Sequence, residues 1–278
     1  MILVVKTRIA IFFLLIIGGA AIAAEGWKLV WSDEFDKPGT PDPAKWGYEN
    51  GFVRNGEQQY YTRDRKENAR VEDGMLVIEA RKEQFKNPSF NTNRPSSGRN
   101  REFAEYTSAS LTTRGKASWA HGRIEVRAKL PAGRGTWPAI WTLGTNQVGW
   151  PACGEIDIME FVGFDPGVIH ANIHTTKYNH VKKTGKGSQT TIPDATSEFH
   201  VYAMEWDSSQ MDFFVDGKKY FTYRNEGSGV AAWPYDSDQY LILNLAIGGS
   251  WGGQKGIDDT IFPCRYYIDY VRVYRKET

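Results

Sequence analysis

Residues 150–163 read WPACGEIDIMEFVG. Glu155, Asp157 and Glu160 place three carboxylates within six residues of strand-like sequence. Side chains alternate faces along a strand, so positions 155 and 157 share a face and 160 points away. Glu160 would then sit among Ile156, Ile158 and Phe161, where an unpaired charge is costly. One extra residue at Ile158–Met159 removes the conflict. A β-bulge there returns Glu160 to the face of Glu155 and Asp157, with Met159 read as the inserted residue and given no chemistry. The two glutamates are then offset by about 13 Å along the strand. On a curved sheet, side chains leaning inward could narrow this to the ~5–5.5 Å used by retaining glycosidases.

The same alternation recurs along the chain. Residues 123–130, RIEVRAKL, put Ile124, Val126, Ala128 and Leu130 on one face, and 268–274, IDYVRVY, also read with period two. Residues 211–223, MDFFVDGKKYFTY, are two runs about Asp216-Gly217, a hairpin signal. Segments 75–80, 200–206 and 240–247 read as further strands, with Gly, Pro, Asn and Asp between them. Residues 84–102 are polar and read as a surface loop. No long stretch has helical periodicity. The pattern predicts an all-β fold, a β-jelly-roll sandwich of two antiparallel sheets; closure into a barrel is the alternative that pattern alone leaves open.

The first residues read as an address. Lys6 and Arg8 precede an apolar run from Ile9 to Ile22, and Ala21, Ala23 and Ala24 form a small-residue cleavage site. The run is shorter than the roughly 20 residues that span a bilayer. Residues 1–24 are therefore expected to be a signal peptide and 25–278 one catalytic domain, secreted to an extracellular or periplasmic space. With 34 Lys+Arg against 33 Asp+Glu, charge gives no argument for nucleic acid or an anionic membrane as partner. Aromatics are abundant, at 14% of residues with 10 Trp. Trp137, Trp141 and Trp150 lie just upstream of the acids. Carboxylates flanked by indoles suggest a sugar groove, with rings stacking on pyranoses and acids acting on the bond between them.

The EIDIME core, with GRIEVRAKLPAGRGTWPAIWTLG at 122–144, resembles glycoside hydrolase family 16, and within it the bacterial laminarinases, the endo-β-1,3-glucanases. WSDEF (31–35), NGEQQYYT (55–62), YAMEW (202–206), FFVDG (213–217), LILNLAIGGSWGG (241–253) and YIDYVRVY (267–274) carry the resemblance from about Leu29 to Tyr274. It implies a jelly-roll with an open substrate cleft on its concave face, and β-1,3-glucan as substrate, hydrolysed with retention. By the same likeness Glu155 matches the nucleophile and Glu160 the acid/base. Asp157, between them, would hydrogen-bond the nucleophile and help keep the two glutamate pKa values apart. Asn55, Arg134, Trp137, Trp141, Trp150, His174 and Trp251 match substrate-contacting positions. No cofactor for catalysis is implied. A structural Ca²⁺ is, at Glu34, the Gly74 carbonyl and Asp269, oxygen donors that suit a hard cation. Cys153 and Cys264 read as two free, partly buried thiols, with one disulfide as the alternative, and the protein as a monomer.

Other readings differ at identifiable residues. A non-catalytic β-glucan recognition protein would keep the aromatic groove and lose the acids, which are present here. Enzymes strict for mixed-linkage β-1,3-1,4-glucan usually carry an unbulged E-x-D-x-E. Marine galactan hydrolases share the bulged motif, but with other cleft surroundings. Transglycosylation would intercept the same covalent intermediate with a sugar in place of water.

Overall fold

The alternation in RIEVRAKL builds a central strand of the molecule. In the computed structural model, which describes residues 26–95 and 97–277, Ile124, Val126, Ala128 and Leu130 are all buried in one hydrophobic core. The proposed leader, 1–24, lies outside the described residues. In chain order the strands are β1 (Trp27–Asp33), β2 (Gly47–Tyr48), β3 (Gln59–Tyr61), β4 (Ala69–Glu72), β5 (Met75–Lys86), β6 (Phe103–Ser108), β7 (Ser110–Thr112), β8 (Gly122–Lys129) and β9 (Thr136–Gly144). They continue as β10 (Glu155–Glu160), β11 (Val168–His174), β12 (Lys186–Thr191), β13 (His200–Trp206), β14 (Gln210–Val215), β15 (Lys218–Arg224), β16 (Gln239–Ile247) and β17 (Cys264–Lys276). The helical content among the described residues is one 3₁₀ turn at Asp259–Ile261.

The strands form two sheets. One runs β15-β14-β13-β8-β17-β5-β6-β3, with β1 also on β17 and β4 also on β5; the other runs β12-β11-β10-β9-β16-β7-β2. Pairing is antiparallel except between β3 and β6, which run parallel, a departure from the wholly antiparallel expectation. The chain between β6 and β7 passes from one sheet to the other at Ala109. Inner faces pack together: Tyr202, Met204, Phe213, Tyr266 and Val271 of the larger sheet share one core with Ile140, Ile156, Ile173 and Leu243 of the smaller. This is the expected two-sheet sandwich.

The hairpin about Asp216-Gly217 forms between β14 and β15, both turn residues having positive φ (49° and 75°), as a two-residue primed turn requires. The period-two reading of 268–274 needs correcting. Ile268 and Val271 both point inward although three residues apart, because the register against β8 shifts between Ile268 and Tyr270. The loop expected at 84–102 is shorter, since β5 runs on to Lys86 and β6 begins at Phe103. Asn100 ties that loop down, accepting from the Asn91 amide and donating to the Asn91 carbonyl. Cys153 and Cys264 are free and buried, as expected.

Candidate active site

β10 lies between β11 and β9 in the smaller sheet and carries the three acids. Against β9, Asp157 pairs with Trp141, Met159 with Ile140 and Glu160 with Ala139. The bulge is present, but the residue left without a partner on β9 is Ile158, not Met159. Ile158 and Met159 are both in the core, together with Ile156 and Phe161. Two consecutive inward side chains bring Glu155, Asp157 and Glu160 onto the same outer face. Neighbouring strands keep strict alternation there. On β9, Trp137, Ala139, Trp141 and Leu143 face outward; on β16, Asn244 and Ala246 do the same. The three acids and these residues line one cavity of about 410 Å³.

Gly154 sets the entry to β10. Its φ is +81°, and a Cβ there would lie 2.8 Å from the Pro234 ring and 2.9 Å from the Tyr235 ring. That tight approach lets the Tyr235 hydroxyl stand 3.0 Å from the Glu155 carbonyl and 3.2 Å from the His174 carbonyl, bridging β10 to β11 beside the acids.

Each glutamate accepts indole N–H. Trp150 Nε1 donates to Glu155 Oε2 at 3.0 Å, and Trp137 Nε1 to Glu160 Oε1 at 3.1 Å. Asn172 Nδ2 donates to the second Glu160 oxygen at 3.1 Å. His174, opposite Glu155 in register, places Nε2 3.2 Å from Asp157 Oδ2 and 3.5 Å from Glu155 Oε1. Burial pushes all three carboxyls up to about 8. Repulsion from Asp157 adds to the rise at Glu155 and Glu160, while the donors Trp137 and Asn172 oppose it at Glu160. Three like charges this close disfavour one another's ionisation, so the acids titrate as a coupled set. Asp157, between the two glutamates on the same face, adds its repulsion to the rise at both.

The expected sugar platform is partly assembled. Trp137, Trp141 and Trp150 line the cavity, as does Asn55. Trp141 is fixed by donating to Asn244 at 2.7 Å, and Asn244 in turn donates to the Tyr61 hydroxyl at 3.0 Å. Trp251 packs edge-on against Trp137, with centroids 5.6 Å apart, and against His170 at 4.9 Å. Arg134 is exposed on its loop and does not line the cavity; its carbonyl accepts from the Asp258 amide. The cations at the cavity are instead Arg54 and Arg99. Arg54 pairs with Glu49 and lies over the Trp141 ring, 4.8 Å from its centroid. Its neighbour Glu57, inside the quoted NGEQQYY, is buried beside it and raised above the usual carboxylate range by that burial. Asn172 carried a signal in the sequence: it lies two residues before His174 and so shares its face. Arg99 and His180 reach the cavity from loops and carried none.

The expected calcium ligands are drawn elsewhere. Glu34 takes a two-pronged hydrogen bond from Arg272, at 3.0 and 2.7 Å, and Asp269 pairs with Arg127 at 2.6 Å. Each carboxylate is thus neutralised by a guanidinium, and as arranged the set does not fit a calcium cage.

Comparison with known proteins gives a consistent picture. The family described as Glycosyl hydrolases family 16 matches residues 56–272. A β-glucanase of Rhodothermus marinus is 50% identical over 263 residues, covering 91% of this chain and 86% of that protein. The X-ray structure of the laminarinase from Rhodothermus marinus superposes with a TM-score of 0.82 at 50% identity, over 91% of this chain and 98% of that one. The crystal structure of a non-specific endo-β-1,3(4)-glucanase superposes with a TM-score of 0.82 at 48% identity, over 92% and 93%.

The raised carboxyls make a statement about stability. Glu160 holds a proton in the folded state up to about pH 8 but loses it near 4.5 when unfolded. The folded state therefore binds more protons across this window, and stability falls as pH rises from about 4.5 to 8. Glu160→Gln removes that loss. Its melting temperature relative to the parent should climb progressively over the window, by about 2–4 °C for each kcal/mol regained. A difference that stays flat from pH 4.5 to 8 refutes the raised value.

Proposed function

The chain belongs to glycosyl hydrolase family 16, and on that premise we propose that it is an endo-β-1,3-glucanase with Glu155 as nucleophile and Glu160 as acid/base. The observation that carries this reading is the bulge, which aligns the two glutamates on one face of a cavity walled by Trp137 and Trp141. Glu155, ionised, attacks the anomeric carbon as the bond to the leaving oxygen breaks. Glu160 gives its proton to that oxygen, and the glycosyl group rests as an ester on Glu155. Water then attacks the same carbon, Glu160 takes its proton, and the ester bond breaks, so configuration is retained. The Trp150 N–H steadies the Glu155 carboxylate. Burial raises the Asp157 carboxyl well above the usual carboxylate range, which disfavours a third charge beside the two glutamates. Trp137 and Trp141 would stack on sugar rings, with Asn55 and Arg54 bonding hydroxyls.

Glu160→Gln should lower kcat on laminarin by about 10²–10⁴-fold, the usual worth of a general acid, and Glu155→Gln by at least as much. Short β-1,3 oligosaccharides from laminarin, absent with Glu155→Gln, support the assignment. Substantial hydrolysis by purified Glu155→Gln refutes it. Mixed-linkage glucan is a second substrate class, favoured by the 48% identity to a non-specific endo-β-1,3(4)-glucanase. Lichenan in the same assay reads it, with agarose and carboxymethyl cellulose as negative controls.

We also propose export and a monomeric mature chain, supported by the charged start, apolar run and Ala-rich segment of residues 1–24. Mass spectrometry of the exported protein should find the chain beginning at Glu25, and light scattering should give one copy. An intact Met1 in that material overturns the cleavage.

A structural calcium at Glu34, Gly74 and Asp269 would have to displace Arg272 and Arg127. A melting temperature raised by millimolar calcium in the parent but not in Asp269→Asn supports such an ion. A temperature indifferent to calcium and EDTA assigns both carboxylates to their arginines.

A further inference from the structure

Glu155, Asp157 and His174 each offer one ligand atom, and these atoms all lie within 4.8 Å of one another. The two separations from His174 Nε2 are 3.2 Å to Asp157 Oδ2 and 3.5 Å to Glu155 Oε1. A zinc ion bound at about 2.0–2.1 Å by tetrahedrally placed N and O atoms holds those atoms roughly 3.3 Å apart. Two of the three spacings are thus already those of a zinc site.

A second observation points the same way. Asp157 is 3% exposed, and its Oδ2, the oxygen turned toward His174, is buried without a hydrogen-bond partner. Among the described residues the only polar atom close to it is His174 Nε2, itself a candidate ligand, so this buried oxygen has no partner outside the triad. The ligands are also firmly held. Glu155 and Asp157 come from one face of β10, His174 from the residue facing Glu155 on β11, and the Tyr235 hydroxyl bridges the backbones of the two strands there.

We propose that this triad binds a divalent transition metal of the zinc class, and that the bound ion shuts off hydrolysis. One imidazole and two carboxylates suit zinc or cobalt and are unlike the all-oxygen sets that hold calcium. Glu155 and Asp157 both line the open cavity, which leaves the fourth position to water. The inhibitory part rests on the proposed role of Glu155. A metal on that carboxylate takes the lone pair needed to attack carbon, and sets a positive charge where the transition state develops one. Metal binding itself does not depend on that role.

The test uses the full mature chain stripped of metal with a chelator and then dialysed. Cobalt titration should give a saturable visible absorption band at one equivalent, and zinc should displace it. His174→Asn and Asp157→Asn should each weaken cobalt binding at least about tenfold. His121→Asn should bind as the parent does, since His121 pairs with Asp236 outside the cavity. Zinc should inhibit laminarin hydrolysis over the concentration range in which it displaces cobalt, and EDTA should restore the rate. Absence of a saturable band overturns the site. So does unchanged affinity in both His174→Asn and Asp157→Asn when their melting curves match the parent. Hydrolysis that persists at saturating zinc overturns the inhibitory role. A band that forms in a chain unable to cleave laminarin supports the metal site and removes the β-1,3-glucanase reading, so the two fail separately.

Discussion

One unpaired residue, Ile158, decides the arrangement of the catalytic face. In a regular strand the charge of Glu160 would be driven into the sandwich core among Ile156 and Phe161, at a cost no neighbouring residue offsets. The bulge places Ile158 and Met159 inward in succession and turns Glu160 out. The core gains two large apolar side chains, and the outer face gains its third carboxyl. Because β9 and β11 pair on either side of β10, the shift is locked from both edges. The indole of Trp137 and the amide of Asn172 then meet Glu160 from those two strands.

Concentrating acids in this way raises their pKa values, and the strands around them hold that tension. Burial alone would protonate all three carboxyls. Indole and amide N–H groups favour the ionised form at the two glutamates, whereas Asp157 has a histidine nearby and an oxygen without a hydrogen-bond partner. The unequal supply of donors lets chemically similar groups on one strand serve different ends. The larger sheet is balanced in another way. Its buried Glu79 is met by Arg70 and Arg265 across neighbouring strands, and Glu34 by Arg272. Such pairs tie β4, β5 and β17 of the larger sheet together, and link the residue after β1 to β17.

Much of this was legible in the chain itself. Period-two alternation in RIEVRAKL and the Asp216-Gly217 turn mark strands and a hairpin because they depend on neighbours in sequence. The conflict between Glu160 and its apolar neighbours exposed the bulge for the same reason. Which of two adjacent residues goes unpaired was not legible, since it is settled by the register of β9. The second bulge, at Ile268–Tyr270, was missed because IDYVRVY alternates acceptably without it; only pairing with β8 shows the slip.

The sequence by itself determined the all-β sandwich, the one-faced acid motif and the indoles of Trp137, Trp141 and Trp150 around it, because periodicity and motif spacing are local properties. Tertiary structure alone decided that Arg54 and Arg99 line the cavity while Arg134 stays outside, that Trp251 packs edge-on against Trp137, and that Glu34 and Asp269 go to arginines. Those outcomes depend on which distant strands and loops converge, and on which partner reaches a buried charge.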